Sequence, residues 1–102
     1  MSKAIDDVLA ERQRQIAEKG WTPEHDDQHS DGVIALAGSG YAYAAAWATM
    51  APSDEQFTDE APPPAWPEDW EFKPNQPRQM LVKAAALMLA EIERIDRAAT
   101  SA

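Results

Sequence analysis

The polar residues best suited to hold an anion lie close together near the start of the chain. Glu11, Arg14 and Gln15 fall within one turn of a predicted helix, and Lys19 follows shortly afterwards. An arginine fork binds phosphate or carboxylate groups through two parallel hydrogen bonds. A solvated helix face stabilised by pairs such as Glu11 with Gln15 would account for the same residues, so both interpretations stay open.

Arg12 differs from these residues because it lies on the apolar stripe of the same predicted helix, between Leu9 and Ile16. An unpaired charge is costly on a face that packs into a core. We therefore predict that a carboxylate or a ligand anion neutralises Arg12. The expected partner is Glu91 of the last helix or an acidic residue of a second subunit.

A second polar group contains His25, Asp26, Asp27 and His29. Two histidines four residues apart with carboxylates between them could bind a divalent metal if this segment is helical. The pattern defines no third ligand. Capping of a helix by the aspartates, with a local hydrogen bond of His25, is therefore the favoured alternative.

Several aromatic side chains could stack on a nucleobase, although core packing and anchoring of a loop would also explain them. Together with the polar residues and Lys83 they form the predicted ligand-binding set. Its members are Glu11, Arg12, Arg14, Gln15, Trp21, His25, Tyr43, Trp47, Trp66, Trp70 and Lys83. No P-loop, GxGxxG, GxSxG or HExxH motif accompanies them in the sequence.

Three helices must position these residues, at about 2–19, 32–50 and 77–99, which predicts a single all-α domain over 1–102. Gly20 is suited to the left-handed cap that would end the first helix. Thr22 could cap a single turn that begins at Pro23. In the third helix, the stripe expected to be buried comprises Leu81, Ala84, Ala85, Met88, Ile92 and Ile95.

The segment 51–76 is rich in proline and is therefore predicted to be a loop. It also holds Phe57, Trp66, Trp70 and Phe72, whereas disordered linkers are poor in aromatic residues. We predict an ordered excursion in which these rings are mostly buried and the two tryptophans pack on the helices. Its most mobile part is expected at 53–60.

The second helix is apolar on nearly every side, so two partner helices would cover only part of it. Gly38 and Gly40 would allow another backbone to approach closely. These features predict a homo-oligomer, most simply a dimer, with the second helix at or near the contact. Coverage by the proline-rich loop is the competing explanation.

The formal charge of −9 disfavours binding to DNA or RNA, because phosphate backbones would be repelled. A small anion could still bind if the few basic residues converge. The sequence has no cysteine, which excludes disulfides and thiolate metal sites. It shows neither a signal peptide nor an apolar run long enough to span a bilayer.

Three blocks stand out: ERQRQ at 11–15, GWTPEHDD at 20–27 and LVKAAALMLAEIERIDR at 81–97. Together they resemble a family of small phage- and prophage-encoded proteins, and the resemblance skips the proline-rich middle. It implies a viral origin, and hence the cytoplasm of a bacterial host, more than a mechanism. Phage proteins of this size often act on host nucleotide metabolism or block a host defence by holding its signal.

We therefore expect a nucleotide-binding protein, without a cofactor, that sequesters a small phosphorylated host molecule such as an immune signalling nucleotide. One alternative is suggested by the ExxD spacing of Glu93 and Asp96, which is similar to helical nucleotide pyrophosphatases related to MazG. Those enzymes hold Mg²⁺ between helices, here with Glu11, Asp26 and Asp27, but the ExxE pair that they need on a preceding helix is absent. A third interpretation is an interaction protein whose loop inhibits a host factor.

Overall fold

The structure is a computed structural model that describes residues 2–51 and 56–101. Within those ranges the chain forms four helices and no strand. They are α1 (Lys3–Lys19), α2 (Pro23–Asp26), α3 (Val33–Met50) and α4 (Pro77–Ser101). The predicted all-α fold is confirmed, and the helix boundaries agree closely with those expected from the sequence.

Local sequence explains where α1 ends and α2 begins. Gly20 adopts a left-handed conformation with φ 71°, and its backbone N–H donates to the carbonyl of Gln15. The backbone N–H of Trp21 donates to the same carbonyl at 3.1 Å, so α1 ends in a left-handed cap at Gly20. The side chain of Thr22 accepts a hydrogen bond from the backbone N–H of His25 at 3.2 Å. Both predicted caps are confirmed.

The core lies between α3 and α4, which run antiparallel. Gly38 lies beside Ala84 of α4, whereas Ala48, near the other end of α3, shares a cavity with Met80. Small residues on α3 let the two helices approach closely. Helix α1 packs on α4 from another side. None of the described helices is both long and apolar enough to cross a bilayer.

The stripe of α4 that was expected to be buried is largely on the surface. Leu81, Met88, Ile92 and Ile95 are 40% to 56% exposed, so the prediction was wrong for these four, whereas Ala84 is buried as predicted. Ala84 belongs to the core face of α4 together with Met80, Leu87 and Ala90. On α4, the exposed stripe and the core face are both apolar and both have helical spacing. Helix α3 packs on the core face.

The described part of the loop is anchored by its aromatic rings, as predicted, while residues 52–55 lie outside the described residues. Phe72 is only 1% exposed, and the other three rings are partly buried against the core. The indole N–H of Trp66 donates to the carbonyl of Trp70 at 2.7 Å. The Asp59 carboxylate accepts a hydrogen bond from the backbone N–H of Phe72 at 2.8 Å.

The glycines of α3 are covered from within the same chain. Gly38 faces Ala84, Leu87 and Met88 of α4, and Gly40 lies directly under the ring of Trp66. The close approach that these two glycines allow is therefore made within the chain, while a homo-oligomer with α3 at or near the contact stays a prediction. Coverage by the proline-rich loop, the competing explanation, accounts for Gly40.

Candidate anion-binding site

A cavity of about 550 Å³ opens between α1, the first half of α4 and the end of the loop. Five of the nine Lys and Arg residues of the chain line it, against two carboxylates. The basic residues are Arg14, Lys19, Lys73, Arg78 and Lys83, and the acidic ones are Asp7 and Glu11. This cavity, here termed the basic pocket, concentrates positive charge in a chain whose net charge is −9.

Glu11 orients Arg14, one of the two arginines of the basic pocket. Both of its carboxylate oxygens accept hydrogen bonds from Arg14, from Nε and Nη2, each at 2.8 Å. Burial acts to raise the pKa of Glu11, but the hydrogen bonds and charge of Arg14 together with Gln15 and Lys83 outweigh it, and the pKa is lowered. These two hydrogen bonds from Arg14 hold the guanidinium group in place. Arg14 has five N–H groups, so three of them are not used by Glu11.

Two lysines in the basic pocket lack a carboxylate partner. Within the described ranges, no carboxylate lies within 4.0 Å of the ammonium group of Lys19 or Lys83. The Lys83 ammonium lies 5.2 Å from the ring centre of Tyr41, and burial lowers the pKa of Lys83. The nearby ammonium of Lys73 lowers the pKa of Lys19. An anion placed among these groups would offset their mutual repulsion.

Gln15 and Tyr41 complete the wall of the basic pocket. Gln15 is 1% exposed, and its Nε2 donates to Glu11 at 3.2 Å. Its buried Oε1 has no hydrogen-bond partner among the described residues. The Tyr41 hydroxyl accepts a hydrogen bond from the backbone N–H of Lys73 at 3.1 Å, which ties the end of the loop to the helices.

Arg12 is not part of the basic pocket. Its Nη2 donates to Oδ2 of Asp26 at 2.7 Å, and its Nη1 donates to the carbonyl of Trp21 at 3.0 Å. Arg12 is 5% exposed and Asp26 is 4% exposed. The prediction of a carboxylate partner is confirmed, but Glu91 was the wrong one, because it bonds Arg94. Arg12 joins α1 to α2 and has a structural role rather than the predicted ligand contact.

A smaller cavity of about 250 Å³ adjoins the first. It contains the rings of Trp21, Trp70, His25 and His29 and is here termed the aromatic pocket. The ring centres of Trp21 and Trp70 are 5.9 Å apart, and those of His29 and Trp70 are 5.6 Å apart. Lys19, Trp21 and Lys73 line both pockets.

The structure divides the predicted ligand-binding set into three groups. Glu11, Arg14, Gln15, Trp21 and Lys83 come together in the basic pocket. His25 and Trp70 lie in the aromatic pocket with Trp21. The others face elsewhere: Tyr43 and Trp47 contact Phe57 at 5.7 and 5.9 Å between ring centres, Trp66 packs on Tyr41 and Phe72, and Arg12 is paired internally.

Sequence reasoning missed Tyr41, Lys73 and Arg78 as residues of the basic pocket. Part of the signal was present in helical spacing. Asp7, Glu11 and Arg14 follow one another at i, i+4 and i+7, so they share a face of α1. Lys73 had no such signal, because its position depends on how the loop folds back onto the hydroxyl of Tyr41.

The carboxylates and histidines considered for a metal site are not assembled into one. In the part of the chain that the structure describes, no group of three or more His, Asp or Glu side chains is placed to hold a metal ion. Asp26 pairs with Arg12, Asp27 pairs with Arg97 at 2.8 Å, and Glu93 lies 3.8 Å from Arg12. Asp26 and Asp27 therefore serve ion pairing, and the side chain that caps α2 is Thr22 rather than an aspartate. Of the carboxylates in the pyrophosphatase alternative, Glu11, Asp26, Asp27 and Glu93 each lie beside an arginine.

Comparison of the chain with protein-family models, with curated proteins and with solved structures gave no match.

Proposed function

We propose that the protein binds and sequesters a small phosphorylated molecule of nucleotide type in the cytoplasm of a bacterial host. In this proposal the chain is phage-encoded, and an immune signalling nucleotide is the expected target. The observation that carries the proposal is the convergence of five of the nine basic residues on one pocket. Two of these, Lys19 and Lys83, are the lysines without a carboxylate partner in the described part of the chain.

The size and lining of the basic pocket support a small ligand rather than a polymer. Its volume of about 550 Å³ lies within the usual range for small-molecule sites. The overall charge of −9 repels an extended phosphate backbone, whereas a compact anion meets mainly the local positive charge. Trp21 and Tyr41 add aromatic surface to the same wall.

A thermal-shift panel of nucleotides and cyclic nucleotides tests this proposal. A ligand at 100-fold excess over its Kd should stabilise the folded state by about 2.7 kcal/mol. Arg14→Ala should abolish that stabilisation while leaving the helix content intact. Lys3→Ala removes the same charge from α1 outside the pocket and should retain it. If no nucleotide raises the melting temperature of the unmodified protein, sequestration is the wrong function.

We also propose that the protein forms a homo-oligomer, through a surface other than the glycines of α3. The supporting observation is an apolar stripe on α4, here termed the α4 stripe, with residues spaced by seven, four and three. Its members are Leu81, Met88, Ile92 and Ile95, all 40% or more exposed. Such spacing is typical of helices that pair along a seam. The same stripe supports the interaction-protein alternative if no nucleotide binds.

A further inference from the structure

The basic pocket and the aromatic pocket form one continuous surface. Because Lys19, Trp21 and Lys73 line both, a ligand with two chemically different parts can extend from one pocket into the other. The aromatic pocket, at about 250 Å³, has room for a planar ring system but is much smaller than the basic pocket. The two pockets together resemble the outline of a nucleotide, with one large polar part and one flat part.

Charge assigns an orientation to such a ligand. The basic pocket holds five basic residues against two acidic ones, whereas the aromatic pocket balances its two lysines with Asp69 and Glu71. Phosphate groups are therefore favoured in the basic pocket. Asp69 and Glu71 would repel phosphates but can accept hydrogen bonds from the amino groups of a base.

The ring of Trp70 is the best surface for a base. Trp21 contacts it at a tilt of 37° and His29 contacts it edge-on at 72°, which holds the ring in place. Trp70 nevertheless stays partly exposed. A ring that is already held loses little conformational freedom when a base stacks on it.

We propose that the ligand is a nucleotide whose phosphates lie in the basic pocket while its base stacks on Trp70 in the aromatic pocket. This inference rests on the proposed function, since it requires that the protein bind a phosphorylated molecule. It goes further by assigning the ligand a base and by giving Trp70 and Trp21 a role in selecting it.

Calorimetric titration with ADP and with inorganic pyrophosphate tests the placement of the base, because the two probes share a diphosphate and differ in the nucleoside. The unmodified protein should bind ADP about 10-fold more tightly than pyrophosphate, as expected for one stacked base. Trp70→Leu should weaken ADP binding by about 10-fold and leave pyrophosphate binding within about twofold. Trp47→Leu is the matched control, because Trp47 lies in neither pocket, and it should change neither affinity.

The outcomes distinguish a failure of this inference from a failure of the proposed function on which it rests. Equal affinities for ADP and pyrophosphate, or an ADP affinity that Trp70→Leu leaves unchanged, would overturn the base placement and leave anion binding standing. If neither probe binds, both proposals fail. Should Trp70→Leu not fold, tryptophan emission of the unmodified protein decides: stronger quenching by ADP than by pyrophosphate supports the placement, and equal quenching overturns it.

Discussion

Asp26 and Asp27 are neighbours in the chain but lie in opposite environments. Asp26 is 4% exposed and forms an ion pair with the buried guanidinium of Arg12. The Asp27 side chain is 49% exposed and forms an ion pair with Arg97 at the surface. Buried and exposed ion pairs differ in energy because loss of one buried partner leaves the other charge desolvated. The two aspartates therefore offer a matched comparison.

Asp26→Ala is expected to lower the free energy of unfolding by about 3–5 kcal/mol, because Arg12 would remain buried without its carboxylate. Asp27→Ala should lower it by less than about 1 kcal/mol, as for other solvent-exposed pairs. Urea unfolding followed by circular dichroism measures both values. Similar costs for the two variants would contradict the structural role assigned to Arg12.

We expect Lys83 to make anion binding in the basic pocket sensitive to alkaline pH. Burial lowers its pKa below the usual 10.5, so the ammonium loses its charge at a lower pH than a surface lysine. Below that pKa the charged group attracts an anion, and as the pH rises through it the attraction is lost. ADP affinity should therefore fall as the pH rises through this lowered pKa, over a range of alkaline pH that lies below the usual value for lysine.

Lys83→Arg provides the control for this pH dependence. Arginine stays charged throughout the range, so the fall in ADP affinity should be smaller in the variant. The remainder would come from Lys19, whose pKa the neighbouring Lys73 also lowers. A pH profile that is identical in the two proteins would show that Lys83 does not contact the anion.

At the scale of elements, the packing of the proline-rich loop on α3 depends on one close contact, between Gly40 and the ring of Trp66. A Cβ atom on Gly40 would lie 2.5 Å from the nearest ring carbon of Trp66, whereas one on Gly38 would lie 3.3 Å from the flexible side chain of Met88. Alanine otherwise favours a helix over glycine by about 1 kcal/mol. The two glycines should therefore respond differently to the same substitution.

Gly40→Ala is expected to destabilise the fold by about 1–3 kcal/mol, because the Trp66 ring must move and the loop with it. Gly38→Ala should be close to neutral, since Met88 can adjust and the helix gains propensity. Thermal unfolding gives the difference, and near-ultraviolet circular dichroism reports the environment of the tryptophans. If Gly40→Ala were the more stable of the two variants, Trp66 would not cover α3 as described.

At the scale of the whole molecule, three helices carry exposed apolar residues, including Ile5 and Leu9 on α1, and those of α4 and α3 could form a contact between copies. On α4 they form the α4 stripe, and on α3 they include Leu36, which is 42% exposed. We expect Ile92→Glu to dissociate the oligomer, because a buried unpaired carboxylate is costly. Leu36→Glu, an equally drastic change on α3, should leave the oligomer intact.

Sedimentation equilibrium at micromolar concentrations measures this difference. Circular dichroism should show that both variants retain their helix content, since both side chains are already exposed. If Leu36→Glu dissociated the oligomer and Ile92→Glu did not, the contact between copies would lie on α3 and not on the α4 stripe. A monomeric unmodified protein at high micromolar concentration would contradict self-association.

Sequence by itself determined the elements of this protein and most of their ends. Helical spacing, Gly20 and Thr22 act through hydrogen bonds between residues close in the chain, so their outcome does not depend on distant contacts. The anchoring of the loop was also predictable, because large rings among prolines must be buried somewhere. Part of the basic pocket followed in the same way, since Glu11, Arg14 and Gln15 share one turn.

Tertiary structure alone decided which partner each of these residues meets. Arg12 needed a carboxylate, but the path of the chain after Gly20 places Asp26 there instead of Glu91. Two apolar faces of α4 were nearly equivalent in pattern, and the small residues of α3 determined which one is buried. The basic pocket exists because the end of the loop brings Lys73 to the groove where α1 meets α4. These choices depend on packing between residues far apart in the chain, on which local spacing carries no information.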